Sequence, residues 1–195
     1  MTSQANMSDQ DPDPGRILIG VCGGIAAYKM CEVVSTLIKR GDDVTVAMTR
    51  DATRFVGEVT FQSLSSRPVY KDPWGHPEAL ESPHISLARQ ADVMLIAPCT
   101  MDMLARLVSG HADDPVSLLA ASIDRSRCPV LLAPSMNETM LSQSSTRRNL
   151  AQLKDDGFDV IEPEEGWQAC RSEGAGRLPE PAVLVSALDE ALRRA

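Results

Sequence analysis

The chain has 195 residues, 43% of them hydrophobic, and a formal net charge of -8 at pH 7, which is enough for one well-buried core and too little for two ordinary domains. No basic block interrupts the acidic balance, which argues against a nucleic-acid binder, since that class meets phosphates with clustered lysine and arginine. No apolar run approaches the roughly 20 residues that cross a bilayer, so no membrane partner is expected either.

The opening stretch 1–15 is polar, carries two Asp-Pro steps and lacks the regions of a secretion signal. It reads as a disordered arm ahead of a single domain over 16–195. Arg16 to Val21 is a short apolar run of the kind that forms a strand buried on both faces, and it ends at Cys22-Gly-Gly24. From Ile25 to Arg40 the apolar residues Met30, Val33, Val34, Leu37 and Ile38 recur at helical spacing, with Gly41 at the stop position. Asp43 to Met48 gives a second strand, parallel to the first because a helix lies between them.

Further strands are predicted at 92–97, 129–133 and 158–161. Helices are predicted at 60–65, 85–90, 101–109, 116–123, 144–156 and 182–195, the last from Val183, Leu184, Ala187, Leu188 and Leu192. Aromatic residues make up only 4% of the chain, so the core must be tightened by layered aliphatic packing. The alternation predicts a doubly wound parallel sheet in a three-layer α/β/α fold of the flavodoxin-like (Rossmann-like) class.

The five cysteines, Cys22, Cys31, Cys99, Cys128 and Cys170, show no CxxC spacing. Neither a metal site nor a disulfide framework is expected, and reduced thiols in the cytoplasm suit the pattern.

In open parallel sheets ligands bind beyond the carboxyl ends of the strands. The loops to inspect therefore follow Val21, Met48, Ala97 and Ala133. They carry Gly23 and Gly24, Thr49 with Thr53, Pro98-Cys-Thr100, and Pro134-Ser-Met-Asn137. Glycines between a strand and a helix let backbone N–H groups approach a phosphate. The run is not the G-x-G-x-x-G fingerprint, however, and a turn alone could demand glycine.

The segment Gly20-Val-Cys-Gly-Gly-Ile-Ala-Ala-Tyr-Lys29 closely resembles the start of the homo-oligomeric flavin-containing cysteine decarboxylase family. Pro83-His-Ile-Ser-Leu-Ala88, Pro134-Ser-Met-Asn-Glu-Thr-Met140 and Ala169-Cys-Arg-Ser-Glu-Gly-Ala-Gly-Arg-Leu-Pro-Glu-Pro181 resemble its catalytic-histidine, substrate-binding and clamp motifs, in the same order. The resemblance spans about Arg16 to Pro181. It implies FMN bound across subunits and assembly as a homo-oligomer, a trimer or a dodecamer of trimers.

The implied activity oxidises the thiol of a terminal cysteine to a thioaldehyde, which makes loss of carbon dioxide easy, and then reduces the enethiol. The implied substrate is the small molecule phosphopantothenoylcysteine of coenzyme A biosynthesis. The alternatives are the terminal cysteine of a precursor peptide, or an FMN-binding regulatory subunit without turnover.

Within that resemblance His84 is the candidate catalytic imidazole, able to hold a proton near neutral pH; a helix-capping or core histidine is the alternative. Asn137 offers an amide to the substrate carboxylate, against the alternative of an N-cap. Cys170 is the candidate proton donor to the enethiol, on a glycine-hinged lid. Met136 shapes the substrate loop, and Arg177 is a candidate contact for substrate phosphate. Gly23, Gly24, Thr49, Phe55, Pro98 and Thr100 are the candidate FMN contacts, although Thr49 and Thr100 would serve equally as helix caps.

The chain departs from the family pattern at Cys22, commonly serine, at Asp102, commonly asparagine, at Leu141, commonly tryptophan, and at Arg171, commonly glycine. Asp102 matters most, because a carboxylate beside a flavin whose reduced form tends toward an anion raises the cost of that state.

Overall fold

The computed structural model of the protein describes residues 15–74 and 82–194. The expected arm, apart from Gly15, and His76 lie outside these residues. Gly15 itself belongs to the folded part, its carbonyl accepting from the Asp43 amide at 2.9 Å.

Five parallel strands form the central sheet: β1 (Arg16–Val21), β2 (Asp43–Met48), β3 (Val93–Cys99), β4 (Val130–Pro134) and β5 (Asp159–Val160), in the order β2-β1-β3-β4-β5. This is the flavodoxin-like order. The helices are α1 (Lys29–Lys39), α2 (Glu58–Ser65), α3 (Pro83–Gln90), α4 (Met101–Ser109), α5 (Pro115–Ser122), α6 (Glu138–Ser142), α7 (Ser144–Asp155) and α8 (Pro181–Arg194).

The strands read as unbroken apolar runs because both faces are covered. Ile17, Ile19 and Val21 of β1 join Val93, Leu95 and Ala97 of β3 in a core with α1, α2 and α8. Leu18, Met94 and Ile96 point the other way, into a second core with α3, α4, α5 and α7. Period-two alternation thus distributes one apolar sequence between two cores. The β2 edge is capped by Tyr70, whose amide and carbonyl bond Val46 and Met48 at 2.8 and 3.0 Å.

Two departures from the predicted elements have local causes. The first helix begins as a 3-10 turn at Ile25–Tyr28 and becomes α-helical only at Lys29. The segment expected to be a lid is an antiparallel hairpin of β6 (Glu164–Trp167) and β7 (Glu173–Arg177). Its strands carry Gly166, Gly174 and Gly176 with three glutamates and no β-branched residue, so strand propensity gives no signal there.

At the sheet centre Gly20 admits α5: a Cβ at this position would lie 2.7 Å from Val116 Cγ1, and Val116 is fully buried. Gly20→Ala should therefore lower unfolding stability by about 1–3 kcal/mol through overpacking. Adding Val116→Ala should return part of the loss relative to Val116→Ala alone, measured by denaturant unfolding of the four proteins.

Candidate functional site

A cleft of about 800 Å³ opens at the carboxyl edge of the sheet, walled by the loops after β1, β2, β3 and β4 and roofed by the β6–β7 hairpin. Of the residues singled out in the sequence, Gly23, Gly24, Thr49, Thr100, Met136, Asn137, Cys170 and Arg177 line it.

The cradle wall is built by backbone. At Gly23 a Cβ would stand 2.6 Å from Asp51 Cβ, so the loops after β1 and β2 close on each other only because the side chain is missing. At Gly24 the nearest atom to such a Cβ is Pro98 Cγ at 3.7 Å, which leaves that side of the turn open. Thr49 Oγ1 accepts from the Ala52 amide at 3.1 Å, and Thr100 Oγ1 caps α4 by accepting from Met103 N at 3.2 Å. In both threonines these bonds use the oxygen as acceptor and leave the hydroxyl proton to donate to an anion. A bond to a backbone amide and a free donor proton are compatible in one side chain.

Asn137 follows the same logic. Its Oδ1 accepts from Met140 N at 2.8 Å and caps α6, while the amide nitrogen keeps two protons to donate into the cleft. The neighbouring loop is tied to the roof: Met136 N donates to the Gly176 carbonyl at 3.0 Å. Gly176 has φ +116°, and a Cβ there would meet Met136 O at 2.1 Å, so only glycine permits this docking.

Cys170 sits exposed in the hairpin turn, with Sγ 3.0 Å from Ser172 Oγ. The turn is closed by Arg171 N donating to Gln168 O at 2.9 Å and by Gln168 N donating to Ser172 O at 2.8 Å. Arg171 takes φ +65°, the left-handed conformation that glycine adopts without cost. That is the physical reason a glycine suits this position.

Arg177 pairs with Glu180, which also receives Lys29 Nζ at 3.2 Å. Lys29 donates as well to the Leu178 carbonyl at 3.1 Å. Burial, then the nearby Arg177 charge, lowers the Lys29 pKa below the ordinary lysine value. Lys29 lines the cleft but was not singled out from sequence; its position inside the first motif was the available signal.

Three expected site residues lie elsewhere. His84 is half-buried near the start of α3, outside the cleft lining, with Nδ1 shielded and unpartnered among the described residues. Phe55 is 48% exposed and also outside the lining. Pro98 is buried at the end of β3, behind Gly24.

Cys22 lines the cleft floor but is itself only 1% exposed. Burial, reinforced by Cys99, pushes its thiol well above the usual range, so it packs as a small apolar group. Leu141 lies half-buried within α6. No group of three or more metal-ligating side chains occurs among the described residues.

The family described as Flavoprotein matches residues 5–193. The coenzyme A biosynthesis bifunctional protein CoaBC of Mycobacterium tuberculosis is 42% identical over 188 residues, covering 96% of this chain and 44% of its own. That of Bacillus subtilis is 40% identical over 169 residues, covering 87% and 41%. The chain thus spans less than half the length of these relatives.

Among solved structures, a PPC decarboxylase mutant complexed with pantothenoylaminoethenethiol superposes with a TM-score of 0.83 at 25% identity, covering 91% of this chain and 97% of that one. The FMN-dependent cysteine decarboxylase SpaF gives 0.78 at 27% identity, covering 92% and 96%.

The double duty of Asn137 separates two variants. Asn137→Asp keeps an acceptor for Met140 N and should fold with stability near that of the parent. Asn137→Ala removes the cap and should lose about 1 kcal/mol. Denaturant unfolding midpoints of the two proteins check this.

Proposed function

The chain belongs to the flavoprotein family, and from that premise we propose that it decarboxylates 4'-phospho-N-pantothenoylcysteine to 4'-phosphopantetheine in coenzyme A biosynthesis, with FMN as cofactor. The observation that carries the reading is the meeting of Asn137, Cys170 and Arg177 over a glycine and threonine cradle in one cleft. The resemblance of the late Ala169-Cys170 and Gly176-Arg177-Leu178 segment to the clamp motif favours this substrate over a peptide.

The cradle fits the cofactor. The open side of the Gly24 turn and the free hydroxyl protons of Thr49 and Thr100 suit a phosphate-bearing flavin. When bound, FMN supplies a reversible two-electron acceptor, which lets the cysteine thiol be oxidised before carbon dioxide leaves and the product be reduced afterwards.

The protein's own groups do the rest. The Asn137 amide donates to the substrate carboxylate and adds no charge that would repel it. Arg177 and Lys29, held by Glu180, present positive charge to the substrate phosphate. The hairpin, locked to the Met136 loop, excludes water from the reacting end. Cys170 Sγ delivers the proton that accompanies reduction of the enethiol, and the adjacent Ser172 hydroxyl holds the thiol toward the cleft.

His84 and Phe55 enter this reading through assembly. Both stand outside the chain's own cleft, which is what a site shared between copies requires, with His84 of one copy serving the cleft of another. The assembly read here is a homotrimer or a dodecamer of trimers. No helix among the described residues is long and apolar enough to cross a membrane, and we read the enzyme as cytoplasmic.

Incubation of the FMN-loaded protein with phosphopantothenoylcysteine should yield a product lighter by carbon dioxide in mass spectrometry. A protein that binds FMN but leaves this substrate intact would point instead to a peptidyl-cysteine decarboxylase or a flavin-binding regulator. His84→Asn should bind FMN normally and lose turnover by roughly 100-fold or more, the scale of a lost general acid–base group. Cys170→Ser should release carbon dioxide and accumulate the unreduced enethiol; full conversion to phosphopantetheine would remove the proton-donor role.

A further inference from the structure

The acidic side chain at position 102 raises an electrostatic problem that the surrounding residues answer. Asp102 lies in the first turn of α4, two residues after the Thr100 cap, and lines the cleft proposed for the flavin. A carboxylate there opposes both the phosphate of FMN and any negative charge on the reduced ring.

One turn along the helix, Arg106 Nε donates to Asp102 Oδ2 at 2.7 Å, and its other arm donates to Asp113 Oδ1 at 2.6 Å. The guanidinium is the less exposed partner, at 32% against 74% for Asp102 and 68% for Asp113. Asp114, next in the chain, also lines the cleft and spends its carboxylate on the amides of Val116 and Ser117. Burial raises its pKa, against the opposing pull of the Val116 and Ser117 amides and, behind them, of the Arg106 charge. Lys29, another cation of the cleft, bonds Leu178 O and Glu180 Oε1 and neither Asp102 nor Asp114.

We propose that Arg106, which lines the cleft beside Asp102, is a positioning residue for the flavin site, an internal counter-ion that holds Asp102 in an ion pair and cancels its charge, so that an acidic residue is tolerated in a cleft built for an anionic cofactor. The inference rests on the flavin reading given above. Exposed ion pairs of this kind contribute little to folding, about 0–1 kcal/mol. A carboxylate released into a partly desolvated cleft acts on the ligand much more strongly. Loss of Arg106 should therefore appear in cofactor affinity and hardly at all in stability. Glutamine suits a helix interior, so the substitution leaves the fold in place.

The test is a double-mutant cycle read by FMN titration of the apoprotein, following quenching of flavin fluorescence, with unfolding midpoints measured alongside. Arg106→Gln should bind FMN about tenfold more weakly than the parent. Asp102→Asn alone should bind within about twofold of it, and the Asp102→Asn, Arg106→Gln double variant should return to within about threefold, with midpoints scarcely changed throughout. Equal affinity of Arg106→Gln and the parent, or a double variant as weak as Arg106→Gln alone, would overturn the counter-ion role while leaving the flavin reading intact. A parent protein that takes up no FMN would overturn both.

Discussion

The parallel pairing of β1 with β3 holds the rest of the molecule in place. Ile17, Leu18, Ile19 and Gly20 register against Val93, Met94, Leu95 and Ile96, and the order of strands reverses on either side of this pair. The chain leaving β1 therefore turns to one face and the chain leaving β3 to the other. The two loops part and leave a crevice, which the fold cannot fill with its own helices. Gly20, whose missing side chain admits Val116 of α5, keeps the sheet and its helical layer close enough for this edge to be rigid.

Upon that edge the site is assembled from groups that each serve structure first. Thr49, Thr100 and Asn137 all spend an oxygen on a backbone amide and keep protons for a ligand. A cap fixes the side-chain rotamer, and a fixed rotamer preorganises a binding group. The hairpin is bound in by the same economy: one backbone hydrogen bond from Met136 to Gly176, and a glycine where any Cβ would strike the Met136 carbonyl. The Met136 loop and the hairpin are thereby mechanically coupled, so movement of one must disturb the other.

The sequence made the sheet legible because its strands are buried on both faces, and continuous runs such as Val93 to Ala97 have few other uses. The helices were legible wherever an apolar stripe met a stop residue, as between Met30 and Gly41. The hairpin was not, since its glycines and glutamates carry no strand signal and its order comes from docking to the Met136 loop. Helix α6 was missed because five residues are too few to show a period.

At the site, motif resemblance pointed to most of the lining, yet Thr100 and Asn137 also cap α4 and α6, while Thr49 bonds the Ala52 amide without being the cap of the turn that follows. Arg106 escaped notice, although its spacing of four from Asp102 is the ordinary signature of a helical ion pair. His84 and Phe55 were expected at the site and stand outside the cleft lining, because a motif records residue type and order and not the wall that a side chain faces.

The crevice between the β1 and β3 loops is the proposed flavin site on which every other role depends. The visible absorbance spectrum of the purified protein, recorded before and after addition of FMN and removal of the excess, tests it most directly. The expected result is a yellow protein, or a colourless one that becomes yellow and retains the flavin through desalting. A protein that stays colourless after reconstitution would contradict it.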